Sequence, residues 1–241
     1  MLHKISEIYD RIAFAAVGRY NEYEALRKAG VTYADVTGYQ FDRGDVTARG
    51  LANWYAQALG ANASEPAGKP YEVELVVAEV GVKPDGDQIY RISWDGSVSD
   101  EPGFVAFGGQ ADQVAAALKE RFSDGMSLTE ALGAALAALA APAAASGANS
   151  SNGSSQPELT AANLEVAILD RARAHRTFRR LVGPRLEELI TESRAAVPAE
   201  TTADEAQEPQ EPSSDDPPTG PSSDDPPTGP SSASTGDGIP K

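Results

Sequence analysis

Residues Leu2–Ala29 (LHKISEIYDRIAFAAVGRYNEYEALRKA) constrain the fold more tightly than any other part of the chain. Their spacing predicts a short strand, a turn, a second apolar strand ending at Gly18, and then an amphipathic helix. Ile5, Ile8, Ile12, Phe14 and Val17 are placed for buried pairing. Tyr20, Tyr23 and Leu26 recur at helical spacing, with Glu22, Glu24, Arg27 and Lys28 on the solvent side. Lys4 leads the block, and Gly18 marks the corner between strand and helix.

Downstream, Asp45 is positioned to cap a helix whose inward residues are Leu51, Trp54, Tyr55 and Leu59 and which Gly60 ends. Tyr71–Val80 alternates and then turns apolar on both faces, the pattern of a strand running from a rim into a core. A turn at Pro84–Gly86, a returning strand at Ile89–Ser93 and a turn at Asp95–Gly96 predict an antiparallel meander. Phe104–Phe107 is expected to continue it as far as Gly108–Gly109. A helix over Ala111–Phe122 carries Val114, Leu118 and Phe122 on one stripe. Ser127 and Glu130 form a capping-box signature for the next helix, with Leu128, Leu132, Leu136 and Leu139 as its buried seam and Pro142 beyond its end. Ala143–Gln156 reads as a surface loop. Strands at Leu164–Leu169 and Thr177–Leu181 lead to a last helix opened by Pro184, with Leu186, Leu189 and Ile190 inward. Helices in pairs and strands in antiparallel runs give an α+β class in which helix layers cover packed sheets. The βαβ alternation of a dinucleotide-binding fold is missing.

The formal charge of −16 is concentrated at the C-terminal end, where residues 200–241 hold ten acidic side chains against one basic. There PSSDDPPTG occurs in tandem at Pro212–Gly220 and Pro221–Gly229. Such composition cannot bury enough apolar area to offset the entropy of ordering, so residues 196–241 are expected to form a disordered acidic tail beyond a domain at 1–195. A chain this negative is a poor match for the phosphate backbone of nucleic acid. It has no cysteine, which excludes disulfides and thiolate metal sites and fits a reducing cytosol. No apolar run approaches the roughly 18 residues of a membrane span. These features lead us to expect a soluble protein of the cytoplasm that contacts neither membrane nor nucleic acid.

Catalytic chemistry is hard to find. His3 and His175 are the only histidines and lack metal-ligand spacing, and the motifs of phosphate-binding loops and zinc hydrolases do not occur. No cofactor, metal or catalytic residue is assigned. Gly108–Gly109 before a helix could receive an anion, but a tight strand-to-helix junction explains the pair. Asp42, Arg43 and Asp45 suit loop and helix-cap roles. Arg171, Arg173, Arg176, Arg179, Arg180 and Arg185 cluster around His175. Phe178 is the one aromatic among them, so subunit contacts or solvated edge-strand charges are expected there in place of nucleic-acid binding.

The opening block resembles the proteasome α-type subunits, their actinobacterial branch closely. The likeness continues through YADVTGYQFDRGDVTARGLANWYAQALG, KPYEVELVVAEV, YRISWDGSVSDEPGFVAFGG, SLTEALGAALAAL and LEVAILDR…RTFRRLVG, covering roughly residues 2–191. The resemblance implies a four-layer αββα sandwich of the Ntn-hydrolase type. It implies a seven-membered ring of identical α subunits that gates entry to rings of β subunits. In this family the α subunit is not the protease; the chemistry belongs to an N-terminal threonine of the β subunit. The partners implied are β subunits, further α subunits and a ring-shaped AAA ATPase that delivers tagged, unfolded substrate. Lys4 matches the pocket lysine that receives the ATPase's C-terminal carboxylate, and Gly18 matches the pocket glycine against which the incoming tail lies.

The family pattern also has an N-terminal gating segment, a helix and two strands before the position of Leu2. From their absence the expectation is that Met1 is a misassigned start and the natural chain extends upstream, the alternative being a shortened, assembly-defective form. Two other functions remain in competition: a catalytic β-type Ntn-hydrolase, which needs a processed N-terminal nucleophile, and a stand-alone binding protein acting through the acidic tail.

Overall fold

The first block forms the strand, turn, strand and helix that its spacing predicts, with Tyr23 and Leu26 buried but Tyr20 exposed. In the computed structural model of the protein, which describes residues 2–66, 68–146 and 159–196, strand β1 (Ile5–Tyr9) pairs antiparallel with β2 (Ile12–Gly18), placing Ile5 opposite Ala15. Helix α1 (Tyr20–Gln40) then runs for 21 residues, well past Ala29. It does so despite Gly30 and Gly38, each of which weakens a helix by about 1 kcal/mol relative to alanine. Their purpose is close packing. A Cβ at Gly30 would stand 1.9 Å from the Tyr55 hydroxyl, and one at Gly38 would stand 2.2 Å from that of Tyr9.

Helix α2 (Ala48–Ala63) buries Leu51, Tyr55 and Leu59 completely, and Trp54 is half-buried. Two details of the expected helix change. Its cap is Thr47, whose Oγ1 accepts from the Gly50 amide at 3.1 Å, because Asp45 closes a separate 3-10 turn, Arg43–Asp45. Gly60 lies inside the helix, and the turn at Gly96 packs onto it so closely that a Cβ on Gly96 would meet the Ala56 carbonyl oxygen at 2.4 Å.

Strands β3 (Val73–Glu79), β4 (Gln88–Ile92) and β5 (Val98–Asp100) complete a five-stranded antiparallel sheet in the order β1-β2-β3-β4-β5. Phe104–Phe107 does not extend it. Pro102 and the positive φ of Gly103 turn the backbone away, and Phe104 packs on Phe122 with ring centroids 5.2 Å apart. Helices α3 (Ala111–Arg121) and α4 (Leu128–Ser146) follow. The capping box forms: the Ser127 amide donates to the Glu130 carboxylate at 2.8 Å, and the Glu130 amide donates to Ser127 Oγ at 3.3 Å.

The buried seam of α4 differs from the expected one. Leu132 and Leu136 are buried, but Leu128 and Leu139 are 43% and 48% exposed. Ala134 and Ala138 are buried with Leu132 and Leu136, and so is Pro142 beyond Leu139, so Leu139 lies off the buried face of α4 and not past its end; the helix packed beside it is α5 (Pro184–Ala196). Pro142 sits within α4 near its end, flanked by alanines that favour the helix. Ala143–Ser146, expected as loop, is thus helical, and 147–156 lies outside the described residues, as does the tail expected beyond α5.

A second sheet consists of β6 (Val166–Leu169) and β7 (Phe178–Leu181), also antiparallel. The period-two alternation of strands distributes the first sheet between two neighbours. Ile12, Phe14, Ala16, Leu75, Val77, Tyr90 and Ile92 join α1 and α2 in the main core. Ala13, Ala15, Val76 and Ala78 point the other way, into an apolar cleft of about 290 Å³ shared with Ala167, Ile168, Leu169 and Phe178. Leu181 and Val166 of the second sheet pack with Leu132, Leu136, Leu186, Leu189 and Ile190 in a separate core under α4 and α5. No helix among the described residues is long and apolar enough to cross a membrane.

Tyr55 holds the main core to α1. Its hydroxyl donates to the Leu26 carbonyl at 3.0 Å, and burial pushes its pKa well above that of free tyrosine, so it stays a neutral donor. Gly30→Ala should therefore destabilise the domain by about 1–3 kcal/mol through overpacking, despite alanine's better helix propensity. In a Tyr55→Phe background the same substitution should cost about 1 kcal/mol less, measured by a denaturant double-mutant cycle; strict additivity would refute the contact.

Candidate functional site

At the open end of the first hairpin, the Ala16 amide donates to the Lys4 carbonyl at 3.1 Å. Gly18 lies two residues further along β2, so Lys4 and Gly18 come to the same end of the sheet. Both are exposed. Gly18 has φ of +111°, in the region that favours glycine, and pairs with Val73. A Cβ there would lie 2.0 Å from the Glu72 carbonyl oxygen, so no side chain fits without moving the backbone. Beside its ladder partner, Lys69, Pro70, Tyr71, Glu72, Val73 and Trp94 line an open groove of about 400 Å³. Charged pairs rim it: Arg19 Nε to Glu72 Oε2 and Lys69 Nζ to Glu72 Oε1, both 2.9 Å.

Lys4 is held from the far end of the chain. Its amide donates to Glu165 Oε2 at 2.8 Å, and the Ile5 amide approaches Oε1 at 3.4 Å. His3 Nδ1 lies 3.1 Å from the same Oε1. Arg180 pairs with Glu165 and also donates to the Ile5 carbonyl. Burial presses Arg180 downward from its ordinary value, yet a guanidinium stays charged. Glu165 is thus neutralised by arginine, and the Lys4 ammonium has no carboxylate within 4.0 Å among the described residues. The result is an exposed cation on a fixed backbone, next to a stretch of chain bare of side chain at Gly18. Chemically, this arrangement can receive an anionic group at the end of an extended peptide. Sequence reasoning singled out Lys4 and Gly18 and placed Arg180 only in the arginine cluster; it missed Glu165 and the link of both to Lys4, because no local pattern joins positions more than 160 residues apart.

The arginine cluster ties the chain to itself. Arg171 donates to the Gly81 carbonyl and to Asp87 Oδ2 at 2.7 Å; Arg176 pairs with Glu7 at 2.8 Å and Arg179 with Asp170 at 3.3 Å. Arg185 meets Glu188 within its own helix. Arg176, Arg179 and Arg185 remain largely exposed, so the solvated charges expected there also form ion pairs within the chain. Asp42 caps the 3-10 turn by accepting from the Gly44 amide at 2.8 Å. Gly108, at φ +106°, turns the chain into α3, whose first turn carries Asp112, a charge that disfavours an anion there. No group of three or more His, Asp or Glu side chains among the described residues is placed to hold a metal ion.

The family described as Proteasome subunit matches residues 1–154. A protein named Proteasome subunit alpha from Thermomonospora curvata is 63% identical over 191 residues, 79% of this chain and 78% of the relative. Proteins of the same name from Streptosporangium roseum and Kineococcus radiotolerans are 57% and 62% identical, over 91% and 78% of this chain and 80% and 78% of theirs.

Behind the site, Asp10 at the β1–β2 turn joins the first hairpin to its surroundings. Burial pulls its carboxyl upward, but Arg43, bonded to both oxygens at 2.7 Å, and His175, 3.6 Å away, outweigh burial and hold it below the ordinary aspartate range. A depressed folded value means the pair contributes its stability above the unfolded pKa of about 3.9 and loses it as pH falls through the folded one. Asp10→Asn should lower the Tm at pH 7 by roughly 2–4 °C. That gap should close below about pH 4 in thermal melts taken across pH; a pH-independent gap would show that the ion pair is not its source.

Proposed function

The chain belongs to the proteasome subunit family as a non-catalytic α subunit of the 20S core, and on that premise we propose that it forms the outer, seven-membered ring of the core. In this proposal the ring stacks on β subunits whose N-terminal threonines cut peptide bonds, controls entry of substrate and docks a ring ATPase delivering tagged, unfolded protein. The compartment is the cytoplasm. The fold is read as the four-layer αββα sandwich of Ntn-hydrolases, which the two helix-covered sheets with an apolar cleft between them support.

The observation that carries the proposal is the extent of the likeness to α subunits, 63% identity over 191 residues, together with a family match over residues 1–154 that takes in Lys4 and Gly18. The docking role of Lys4 and Gly18 rests on chemistry. An ammonium attracts a terminal carboxylate, and a residue without a side chain lets the arriving tail lie against the backbone.

Native mass spectrometry of the complex purified from its own organism should give a large assembly of two subunit types; a free monomer would overturn the assembly. In that assembled core, Lys4→Ala should abolish stimulation of protein degradation by the ATPase, expressed relative to unstimulated small-peptide cleavage by the same preparation. Undiminished stimulation would remove Lys4 from the docking site.

A further inference from the structure

Among the described residues Glu165 is the one carboxylate bonded to the backbone of Lys4, and without a partner it would compete for the Lys4 ammonium. We propose that Arg180 is a positioning residue of the docking site: by occupying Glu165 it keeps that carboxylate on the Lys4 backbone and off the Lys4 side chain, leaving the ammonium for an incoming terminal carboxylate. This proposal rests on the docking role of Lys4.

The geometry divides the labour among named atoms. Glu165 has two oxygens. Oε2 accepts the Lys4 amide at 2.8 Å. Oε1 meets Arg180 Nη1, His3 Nδ1 at 3.1 Å and, more distantly, the Ile5 amide. The second guanidinium nitrogen of Arg180 donates to the Ile5 carbonyl. Arg180 therefore grips both the carboxylate and the strand that the carboxylate orients, and its guanidinium lies 5.7 Å from the centroid of the Phe178 ring. Arginine suits this place because its planar fork can serve two acceptors at once, which a lysine cannot do with equal geometry. Both ends of the pair are about three-quarters covered, at 22% and 23% side-chain exposure, so solvent screens it less than a surface pair.

If Arg180 is removed, the negative charge of Glu165 stands next to a flexible ammonium whose own amide it already binds. Lys4 can then fold back onto Glu165, and the site loses its cation without losing any residue that touches the ligand. The charge balance, and not the cation alone, sets the affinity for an anionic tail.

The test uses the assembled core and two probes: a peptide copying the last eight residues of the host's ring ATPase with a free C-terminal carboxylate, and the same peptide as the C-terminal amide. The measured quantity is the ratio of their dissociation constants. Arg180→Met should lower the preference for the free acid roughly three- to tenfold, and adding Glu165→Gln should restore it. Should Arg180→Met fail to assemble, Glu165→Gln alone decides. Masking predicts that losing this carboxylate beside two cations makes the free acid bind as tightly as in the wild type or tighter. A purely structural role predicts weaker binding of acid and amide alike. An unchanged ratio in Arg180→Met, no restoration in the double variant, or weaker acid binding in Glu165→Gln would overturn the proposal. A wild-type core without acid preference, or Lys4→Ala retaining it, would instead overturn the docking role itself.

Discussion

Strand β1 is the edge of the five-stranded sheet, and the rest of the structure depends on how that edge is gripped by the β6–β7 hairpin. At one end Glu165 and Arg180 take up the amide of Lys4 and the carbonyl of Ile5. In the middle Arg176 reaches Glu7. At the other end Thr177, fully buried, places both its amide and its hydroxyl on the Asp10 carbonyl at 2.8 and 2.9 Å. An edge strand presents unpaired backbone groups, and each buried one left without a partner costs about 1–3 kcal/mol. These contacts satisfy several of them with side chains from some 160 residues away and join the two sheets on either side of an apolar cleft.

The same grip decides the character of the exposed end. Lys4 is an ordinary surface cation by exposure, but its backbone is fixed at both ends of its peptide unit and the adjacent acid is already paired. That leaves a charge whose position is set by the fold while its side chain stays accessible. Gly18 complements it because the β2–β3 ladder brings the Glu72 carbonyl into the space that a side chain would need. Neither property exists in an isolated hairpin; each requires β3 or the second sheet to be in place.

Behind this end the molecule relies on close approach between unlike elements. Tyrosines from α2 and β1 push their hydroxyls against glycines of α1, Trp54 stacks on Tyr33 with centroids 5.2 Å apart, and the β4–β5 turn lies against the backbone of α2. The helices are thus held by shape at glycine positions as much as by an apolar stripe, which accounts for two helices that run through glycines placed as if to stop them. A non-catalytic subunit of a protease core needs rigidity of this kind, because its work is to present surfaces in fixed relation to its neighbours.

Much of this protein was legible from sequence. The alternation of Ile12, Phe14 and Ala16 against Ala13 and Ala15, the Ser127–Glu130 cap and the inward face of α5 all express short periodicities that neighbouring residues carry by themselves, and they sufficed for the α+β class. The chain order of many such segments carried the family likeness, and with it Lys4 and Gly18. Where local rules failed, a distant part of the chain had intervened: α2 runs through Gly60 with the Gly96 turn packed against it, and Phe104 leaves the sheet to pack on Phe122. The six arginines near His175 were visible as a cluster, but not the acceptors of Arg171, Arg176, Arg179 and Arg180, which lie on β1, in the β3–β4 loop and beside β6. Sequence by itself determined which segments form helices and strands and which faces seek burial, because these follow from the chain's own repeat. Only the tertiary structure decided which charge pairs with which, and so which cation remains open, because ion pairing depends on distance in space, and residues such as Lys4 and Glu165 become neighbours only when the sheets meet.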